Sequence, residues 1–325
     1  MFNNYSHPIQ ILSFLFLIIS LTKLWGQQDA HLALYPYHMQ VINPAFTGSQ
    51  GGTFINSTFR SQWIGIDDAP RIQAISLGIP STEKRLNYGA LFYNDKTFIE
   101  QQTRFFANFS YRIPLNDVYD VYLGLSAGGE NFAVNFDSLQ NVDLTGDQYL
   151  TTFSRFNPNL GVGVYLKSEK FYAALSTPKL FQTKRFNNDS GFATTARDLV
   201  HLFGFVGGKI PLSTDWFWVN TALFRYVARA PWSVVINTGL AYKNNELTFG
   251  YQWDASFAGT LLIQANDFLS FGYSYQFQSS NTLASLSNGN HELLIKIRIG
   301  KNAAEETQEE LSSEPEAAIE TSANN

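Results

Sequence analysis

Alternation of apolar and polar side chains recurs along most of this chain, and it predicts β-strands with one apolar and one polar face. From Arg104 to Arg112, for example, Phe, Ala, Phe and Tyr alternate with Arg, Asn, Ser and Arg. The segments 269–277 and 293–299 repeat the pattern. After Gly26, no apolar run approaches the roughly 18 residues that a membrane-spanning helix needs. If the mature chain lies in a membrane, it must cross it as strands.

Marking every such run predicts an all-β fold, a closed transmembrane antiparallel β-barrel of about 14 strands. An even number of strands is typical of such bacterial barrels. One predicted strand, 119–136, contains Gly128 and Gly129, which mark either a bulge or a turn between two strands. The predicted strands are 53–63, 71–79, 87–94, 103–113, 119–136, 158–167, 171–177, 200–210, 216–226, 232–243, 246–253, 257–265, 268–277 and 291–299.

The lengths of the connections support a barrel. The long ones, 137–157, 178–199 and 278–290, all fall at one end, whereas 244–245 and 266–267 at the other end are tight, as expected for external loops and periplasmic turns. A soluble sandwich with an aromatic core is the alternative, but it would leave large aromatic residues uncovered on its outer faces. Five of the six Trp lie at predicted strand ends, where interfacial aromatic belts belong: Trp63, Trp216, Trp218, Trp232 and Trp253.

The N-terminal sequence and the composition indicate that the protein is exported. The apolar run Ile9–Leu21 predicts a signal peptide over residues 1–26, although no Lys or Arg precedes it, and an uncleaved anchor is the alternative. The chain has no Cys, which removes disulfides, thiolate metal sites and a lipid-modified N-terminus.

Charge is concentrated at the C-terminal end. The formal net charge is -5, while residues 301–325 hold seven Glu and one Lys. The remainder is nearly neutral, so nucleic-acid binding has no electrostatic footprint. We expect residues 301–325 to form an acidic, disordered periplasmic tail, with a docking peptide as the alternative.

Catalytic patterns are weak. No phosphate loop, metal-ligand cluster or nucleophile elbow is present, and the pair Asp67 and Asp68 fits a polar external loop. A hydrolase would need His201 or His291 to meet a serine, which remains an alternative. The sequence predicts a protein that is not an enzyme and that has no cofactor and no metal.

Several segments resemble a known family. QVINPAFTGS, RSQWIGIDDAPRIQ and NGNHELLIKIRI are similar to the pattern of the PorP/SprF family of Bacteroidota type IX secretion. The resemblance covers about Gln27 to Gly300, and the acidic extension departs from it. Its most specific residues are Asn43, Pro44 and Ala45, followed by Arg60, Gln62, Trp63, Pro70, Arg71 and Gln73.

This resemblance implies a multi-pass barrel in the cell outer membrane, without catalytic residues, that serves protein secretion or gliding motility. The implied partners are outer-membrane lipid, type IX components in the periplasm and outer membrane, and the C-terminal domains of secreted adhesins or cargo. A porin or transporter for small or hydrophobic solutes is the alternative function.

The expected organisation places a periplasmic N-terminal segment, 27–50, before a barrel at 51–300, with both termini periplasmic. Residues 27–50 either form a turn that feeds the first strand or fold into the periplasmic mouth and meet the export machinery, since fourteen strands leave a wide lumen. On the inward face, Arg60, Arg104 and Arg112 are expected to form ion pairs with this segment or with neighbouring carboxylates.

Apolar residues in the predicted external loops complete the list of candidates. Such loops, displayed on a rigid scaffold, are where binding usually resides. These side chains are candidate contacts for cargo or, alternatively, packing partners of one another: Phe153, Phe156, Phe181 and Phe186.

Overall fold

A computed structural model describes residues 32–66, 68–81, 85–136, 152–184, 197–228, 230–253, 256–278 and 289–300. The predicted signal peptide, the acidic tail and Phe186 lie outside these residues. The strands are β1 (Thr53–Ser61), β2 (Arg71–Ile79), β3 (Leu86–Thr97), β4 (Glu100–Pro114), β5 (Asp120–Val134), β6 (Phe153–Lys167), β7 (Phe171–Thr177), β8 (Thr183–Lys184), β9 (Arg197–Asp198), β10 (His201–Pro211), β11 (Trp216–Val227), β12 (Ser233–Tyr242), β13 (Asn245–Gln252), β14 (Ser256–Gln264), β15 (Leu269–Gln278) and β16 (Asn290–Ile299).

Fourteen of these strands form a closed antiparallel barrel, which confirms the predicted fold class. Strands follow one another around the wall in chain order, except that β7 pairs directly with β10. The short strands β8 and β9 pair only with each other in a separate sheet. Closure joins β1 to β16, from Thr53 opposite Ile299 to Ser61 opposite His291.

The predicted faces of the strands are confirmed. In β4, Phe105 and Phe109 are exposed on the outer surface, whereas Asn108 and Ser110 are buried in the lumen. Ile297 of β16 is likewise exposed on the outside. An apolar outer surface and a polar interior suit a barrel wall that faces lipid. Among the described residues, no helix is long and apolar enough to cross a membrane.

The two ends of the barrel differ. We call one end the turn rim, because its connections are short: 80–85, 115–119, 168–170, 212–215, 243–244 and 265–268. The other end, the loop rim, carries the connections 62–70, 98–99, 135–152, 178–200, 228–232, 253–255 and 279–289. Trp216 lies at the turn rim, Trp232 and Trp253 lie at the loop rim, and all three are exposed. These positions match the predicted aromatic belts.

Segment 120–134 is a single strand with constant register on both sides, which confirms the predicted single strand and shows neither a bulge nor a turn at Gly128 and Gly129. One prediction about strands needs correction. Strand β6 begins at Phe153 and not at residue 158, which places Phe153 and Phe156 in the wall and not in an external loop.

Pro158 explains this error. Because the carbonyl of Leu160 accepts a bond from the Leu180 amide, the even positions of β6 turn their backbone groups away from β5. At that edge β7 has already ended, since its Thr177 lies opposite Val162. The missing N–H of a proline therefore removes no bond between strands.

Candidate functional site

A 19-residue segment before β1, Leu32–Gln50, occupies the lumen, and we call it the plug. It consists of three 3-10 turns, Tyr35–Tyr37, Met39–Val41 and Pro44–Phe46. Asn43 caps the third turn, because its side chain accepts a bond from the Ala45 amide at 2.9 Å. The segment is therefore more than a turn that feeds the first strand, since it folds inside the barrel.

We call the part of the lumen nearer the loop rim the loop half and the part nearer the turn rim the turn half. The plug runs along the lumen from the loop half to the turn rim. At its start, the amides of Ala33 and Leu34 donate to the Glu292 carboxylate, near the loop-rim end of β16. At its end, the carbonyl of Ser49 accepts a bond from Lys167, the last residue of β6. The first described residue of the chain thus lies deep in the barrel and not at the turn rim.

Glu292 joins the plug to the seam at which the barrel closes. Its two carboxylate oxygens lie 2.7 Å from the Ala33 amide and 2.9 Å from that of Leu34. The same carboxylate forms an ion pair with Arg60 of β1, and both side chains are almost fully buried. Arg60 also donates to Gln276 Oε1 at 2.7 Å. A buried ion pair persists only with such additional hydrogen bonds.

A second carboxylate, Glu246, holds the plug in the turn half. It accepts a bond from Tyr37 Oη at 3.0 Å and forms an ion pair with Lys209, whose side chain is 42% exposed. Burial first, and then the neighbouring Glu246 charge, raise the pKa of Tyr37 well above its ordinary value. Tyr37 therefore remains a neutral donor to the carboxylate.

His38 sits between two strands at the centre of the plug. Its Nδ1 lies 2.7 Å from Thr58 Oγ1 and its Nε2 lies 2.8 Å from Ser76 Oγ. Burial, and less strongly the charge of Lys296, lower the pKa of His38 to about 3. The fully enclosed ring is held as a neutral imidazole, which is a structural arrangement, since neither partner is a carboxylate that would orient a catalytic base.

Two glycines of the wall leave the space that Asn43, Pro44 and Ala45 of the plug occupy. A Cβ at Gly124 would lie 2.1 Å from the Ala45 nitrogen, and one at Gly163 would lie 2.0 Å from Asn43 Oδ1. Asn43 also donates to the carbonyl of Val164 at 3.2 Å. Asn43 and Pro44 are therefore buried against the wall, where they fix the plug and do not present a free surface.

The other motif residues lie around the connection between β1 and β2. Gln62 is buried, and its amide donates to the Pro70 carbonyl at 3.0 Å. Trp63 adopts a left-handed backbone with φ 49°, and Arg71 is exposed at the start of β2. These four residues, Gln62, Trp63, Pro70 and Arg71, are close in the chain but separate from the plug contacts.

The structure disperses the phenylalanines. Phe153 packs near Phe132, with ring centroids 6.1 Å apart, whereas Phe156 is 65% exposed on the outside of β6. Phe181 is also exposed, and its amide donates to Asn159 Oδ1 at 3.0 Å.

The remaining predicted arginines have carboxylate neighbours. Arg104 Nε lies 3.5 Å from Glu130, and Arg112 pairs with Asp120 at 2.9 Å near the turn rim. Both contacts agree with the expectation of ion pairs on the inward face.

Sequence reasoning missed the carboxylates and glycines that hold the plug. Glu246 and Glu292 occupy inward positions on strands whose side chains alternate between the two faces. A charge that faces the inside of a barrel requires a partner. Gly124 and Gly163 also occupy inward positions. Listing charged and glycine residues by face would have selected all four.

The described part of the chain shows neither a metal site nor a hydrolase site. Within it, no group of three or more His, Asp or Glu could hold a metal ion. His291 Nδ1 lies 2.8 Å from Tyr273 Oη, so its partner is a tyrosine.

Comparison with known proteins identifies a family and shows a likeness to solved β-barrel proteins. Residues 25–297 match the family model described as type IX secretion system membrane protein PorP/SprF. No curated protein matches the chain. The solved CymD monoaromatic hydrocarbon channel has a TM-score of 0.50 at 10% identity and covers 85% of this chain and 96% of its own. The Ralstonia pickettii toluene transporter TbuX has a TM-score of 0.47 at 12% identity, covering 85% and 97%. These likenesses concern the fold alone.

Proposed function

We propose that this chain, which belongs to the PorP/SprF family of type IX secretion system membrane proteins, holds exported proteins at the loop rim and contacts the export machinery at the turn rim. The barrel lies in the outer membrane, as its fold and family indicate. In this proposal the loop rim faces the cell surface and the turn rim faces the periplasm, because outer-membrane barrels carry their longer loops outside.

One observation carries this proposal: the plug lies inside the lumen and is bonded to several strands of the wall. Its contacts reach from Glu292 in the loop half to Lys167 at the turn rim. A lumen occupied in this way does not offer the open aqueous path of a porin. We therefore assign the binding of partners to the two rims.

A deletion strain and a conductance measurement test the proposal together. We expect deletion of the gene to release surface adhesin into the medium or to stop its export, and the purified barrel to give little conductance in liposomes. A large steady conductance combined with normal export in the deletion strain would contradict the proposal. That result would favour transport of small solutes.

Exposed aromatics near the loop rim are the proposed contacts for cargo. Phe156 and Phe181 are 65% and 53% exposed. Replacing both with Ser should leave a folded barrel and reduce the capture of adhesin at the surface, because exposed aromatics often anchor protein interfaces. The matched control is Leu212→Ser, since Leu212 is 59% exposed at the turn rim. Equal capture by all three proteins would exclude these aromatics as contacts.

A further inference from the structure

Basic side chains from opposite sides of the barrel converge inside the turn rim. Lys296 and Arg298 lie on the inner face of β16, on either side of the outward-facing Ile297. Lys296 is close enough to be influenced by the charges of Arg298, Lys209 and Lys167, and the strands of the last two, β10 and β6, lie across the lumen from β16. We call these four basic residues the basic cluster.

The inner charges near this rim do not balance. Lys209 forms an ion pair with Glu246, and Arg112 forms one with Asp120. Lys167 lies opposite Asp120 in the sheet but donates to a carbonyl of the plug. With Lys296 and Arg298 included, five positive charges face two negative ones among the described inner residues at this rim. The surplus is three positive charges.

The surplus is greatest at β16. Neither Lys296 nor Arg298 forms an ion pair within the part of the chain that the structure describes. Lys296 Nζ lies 4.4 Å from the centroid of the Phe54 ring, and Arg298 Cζ lies 5.0 Å from the same centroid. Arg298 Nε is buried and has no hydrogen-bond partner among the described residues. An anion placed here would be attracted by both charges and would relieve the repulsion between them.

The turns around the basic cluster do not supply this anion. Within the described residues, none of their carboxylates forms an ion pair with Lys296 or Arg298. Their own charges nearly cancel, since the described turns of this rim carry Arg85, Lys170 and Lys243 against Asp117, Glu169, Asp215 and Asp267.

The chain itself becomes acidic directly after the basic cluster. It bends at Gly300, which has φ 89°, immediately after β16. Residues 301–325 hold seven Glu and one Lys, and the first four Glu form two pairs, at 305–306 and 309–310. Glu305 lies five positions after Gly300, which corresponds to at most about 17 Å of extended chain. The acidic pairs are therefore within reach of Lys296 and Arg298.

We propose that the acidic segment 305–310 of this chain binds the basic cluster and covers the lumen at the turn rim. Its carboxylates pair with Lys296 and Arg298, because the planar guanidinium fork of Arg298 matches two carboxylate oxygens. The tether favours this pairing, since a short flexible link gives a millimolar effective concentration. The inference concerns the isolated chain and does not rest on the proposed function.

The competing occupants are the phosphate group of a membrane lipid and an acidic segment of another protein. The segment of this chain is favoured because it begins where the basic cluster lies and carries the complementary charge. Measurements on the purified protein separate it from a second protein, and the choice of lipid separates it from lipid phosphate.

The test is the mobility of a spin label on the segment in the intact, purified protein. Because the chain has no Cys, Gln308→Cys places a single label between the two glutamate pairs. In a neutral detergent at about 20 mM salt, we expect a slow spectral component that disappears at about 1 M salt, where the Debye length is about 3 Å. A spectrum that is equally fast at both salt concentrations would overturn the proposal.

Changes on the segment test the contact without altering the barrel. The quadruple variant Glu305→Gln, Glu306→Gln, Glu309→Gln and Glu310→Gln should lose the slow component at low salt. A slow component that survives these changes would show that the carboxylates do not hold the segment.

Changes in the barrel locate the contact. Lys296→Gln combined with Arg298→Gln should shift the ratio of slow to fast label about tenfold toward the fast form. The matched control, Lys170→Gln combined with Lys243→Gln, removes two exposed charges from the same rim and should leave the ratio unchanged. Compact migration of unheated samples on gels confirms that each variant is folded. Equal ratios in the two double variants would place the segment elsewhere and overturn the proposal.

Vesicles decide between the segment and lipid phosphate. We expect the slow component to persist in vesicles of phosphatidylcholine and in vesicles that also contain phosphatidylglycerol. Its loss in the vesicles with phosphatidylglycerol would assign the basic cluster to a lipid phosphate group and overturn the proposal.

Discussion

In the turn half of the lumen, the plug backbone lies directly against glycines of the wall. In the loop half, the long cationic side chains of Arg104, Lys179 and Arg225 lie beside apolar residues of the plug and the wall. The same strands form the wall of both halves, and their side chains alternate between the inner and outer faces throughout. The turn half is closed by shape, since Gly124 and Gly163 leave no room between plug and wall. The loop half is organised by charge, around Glu130 and Glu292.

This difference separates two tasks within one barrel. Close packing of backbone against backbone seals a lumen and tolerates little change. A region lined by buried charges depends instead on the pairing of each charge, because an unpaired buried charge is costly. The comparison therefore predicts that changes in the two halves will differ in kind and in size.

The largest effect should come from the carboxylates that hold the plug. Glu292→Gln leaves Arg60 buried beside a neutral partner, and we expect the plug to lose about 3 to 5 kcal/mol of docking free energy. Glu246→Gln should cost only about 1 kcal/mol, because its partner Lys209 is partly solvated. Cleavage by chymotrypsin after Tyr37 and Phe46 measures the released plug. Equal cleavage of the two variants would refute the distinction between the halves.

Closure by shape is tested next. Gly124→Ala places a methyl group against the Ala45 nitrogen, and we expect a loss of about 3 kcal/mol in plug docking together with a rise in liposome conductance. Gly259→Ala is the matched control, since nothing lies within 4 Å of its Cβ position. Unchanged docking and conductance in Gly124→Ala would show that the plug does not pack closely against the wall at this position.

Acidity should loosen the plug through His38. The imidazole is neutral in the docked plug, with a pKa of about 3, and regains its ordinary pKa near 6.5 when released. The released form therefore gains a proton as the pH falls below 6.5, so docking weakens over this range, by about 2 kcal/mol at pH 5. Chymotryptic cleavage, divided at each pH by the cleavage of an unstructured peptide with the same sites, should rise from pH 7.5 to pH 5 in the wild type and less so in His38→Gln. A rise of the same size in both proteins would assign the effect to carboxylates.

The smallest expected effect concerns the cap of the third turn. Asn43→Ala removes the bonds to Ala45 and Val164 and should weaken docking by about 1 kcal/mol. Asn266 is the control, because it caps an exposed turn at the turn rim through bonds to Phe268 and Leu269. Thermal release of the plug, followed by cleavage, should begin at a lower temperature for Asn43→Ala than for Asn266→Ala. Identical profiles would remove Asn43 from the set of plug anchors.

Much of the barrel follows from the sequence because alternation has a period of two in every strand and lipid on one side enforces it. Strand 71–79 was predicted to the residue, and most other bounds agree to within a few positions. The start of β6 was missed because Pro158 is typical of a strand end. Only the early termination of β7 makes a proline acceptable there.

The site was less predictable. The 3-10 turns of the plug have no long repeat, so their contacts cannot be inferred from spacing. Glu292 meets Ala33 across 259 positions of sequence, and nothing local in the chain indicates that contact. Arg60 was selected through its motif, but its partner depends on the register of closure between β1 and β16.

The seam between the first and last strands has a consequence for how the protein assembles. Arg60 of β1, Glu292 of β16 and the plug amides of Ala33 and Leu34 meet at one point. The plug is made before β1, while Glu292 is made near the end of the chain, so this junction completes only when the barrel closes. A plug already lying in the nascent sheet would serve as a template for closure in the correct register. Refolding into lipid vesicles should then be slower, or yield more misregistered barrels, when residues 32–50 are deleted.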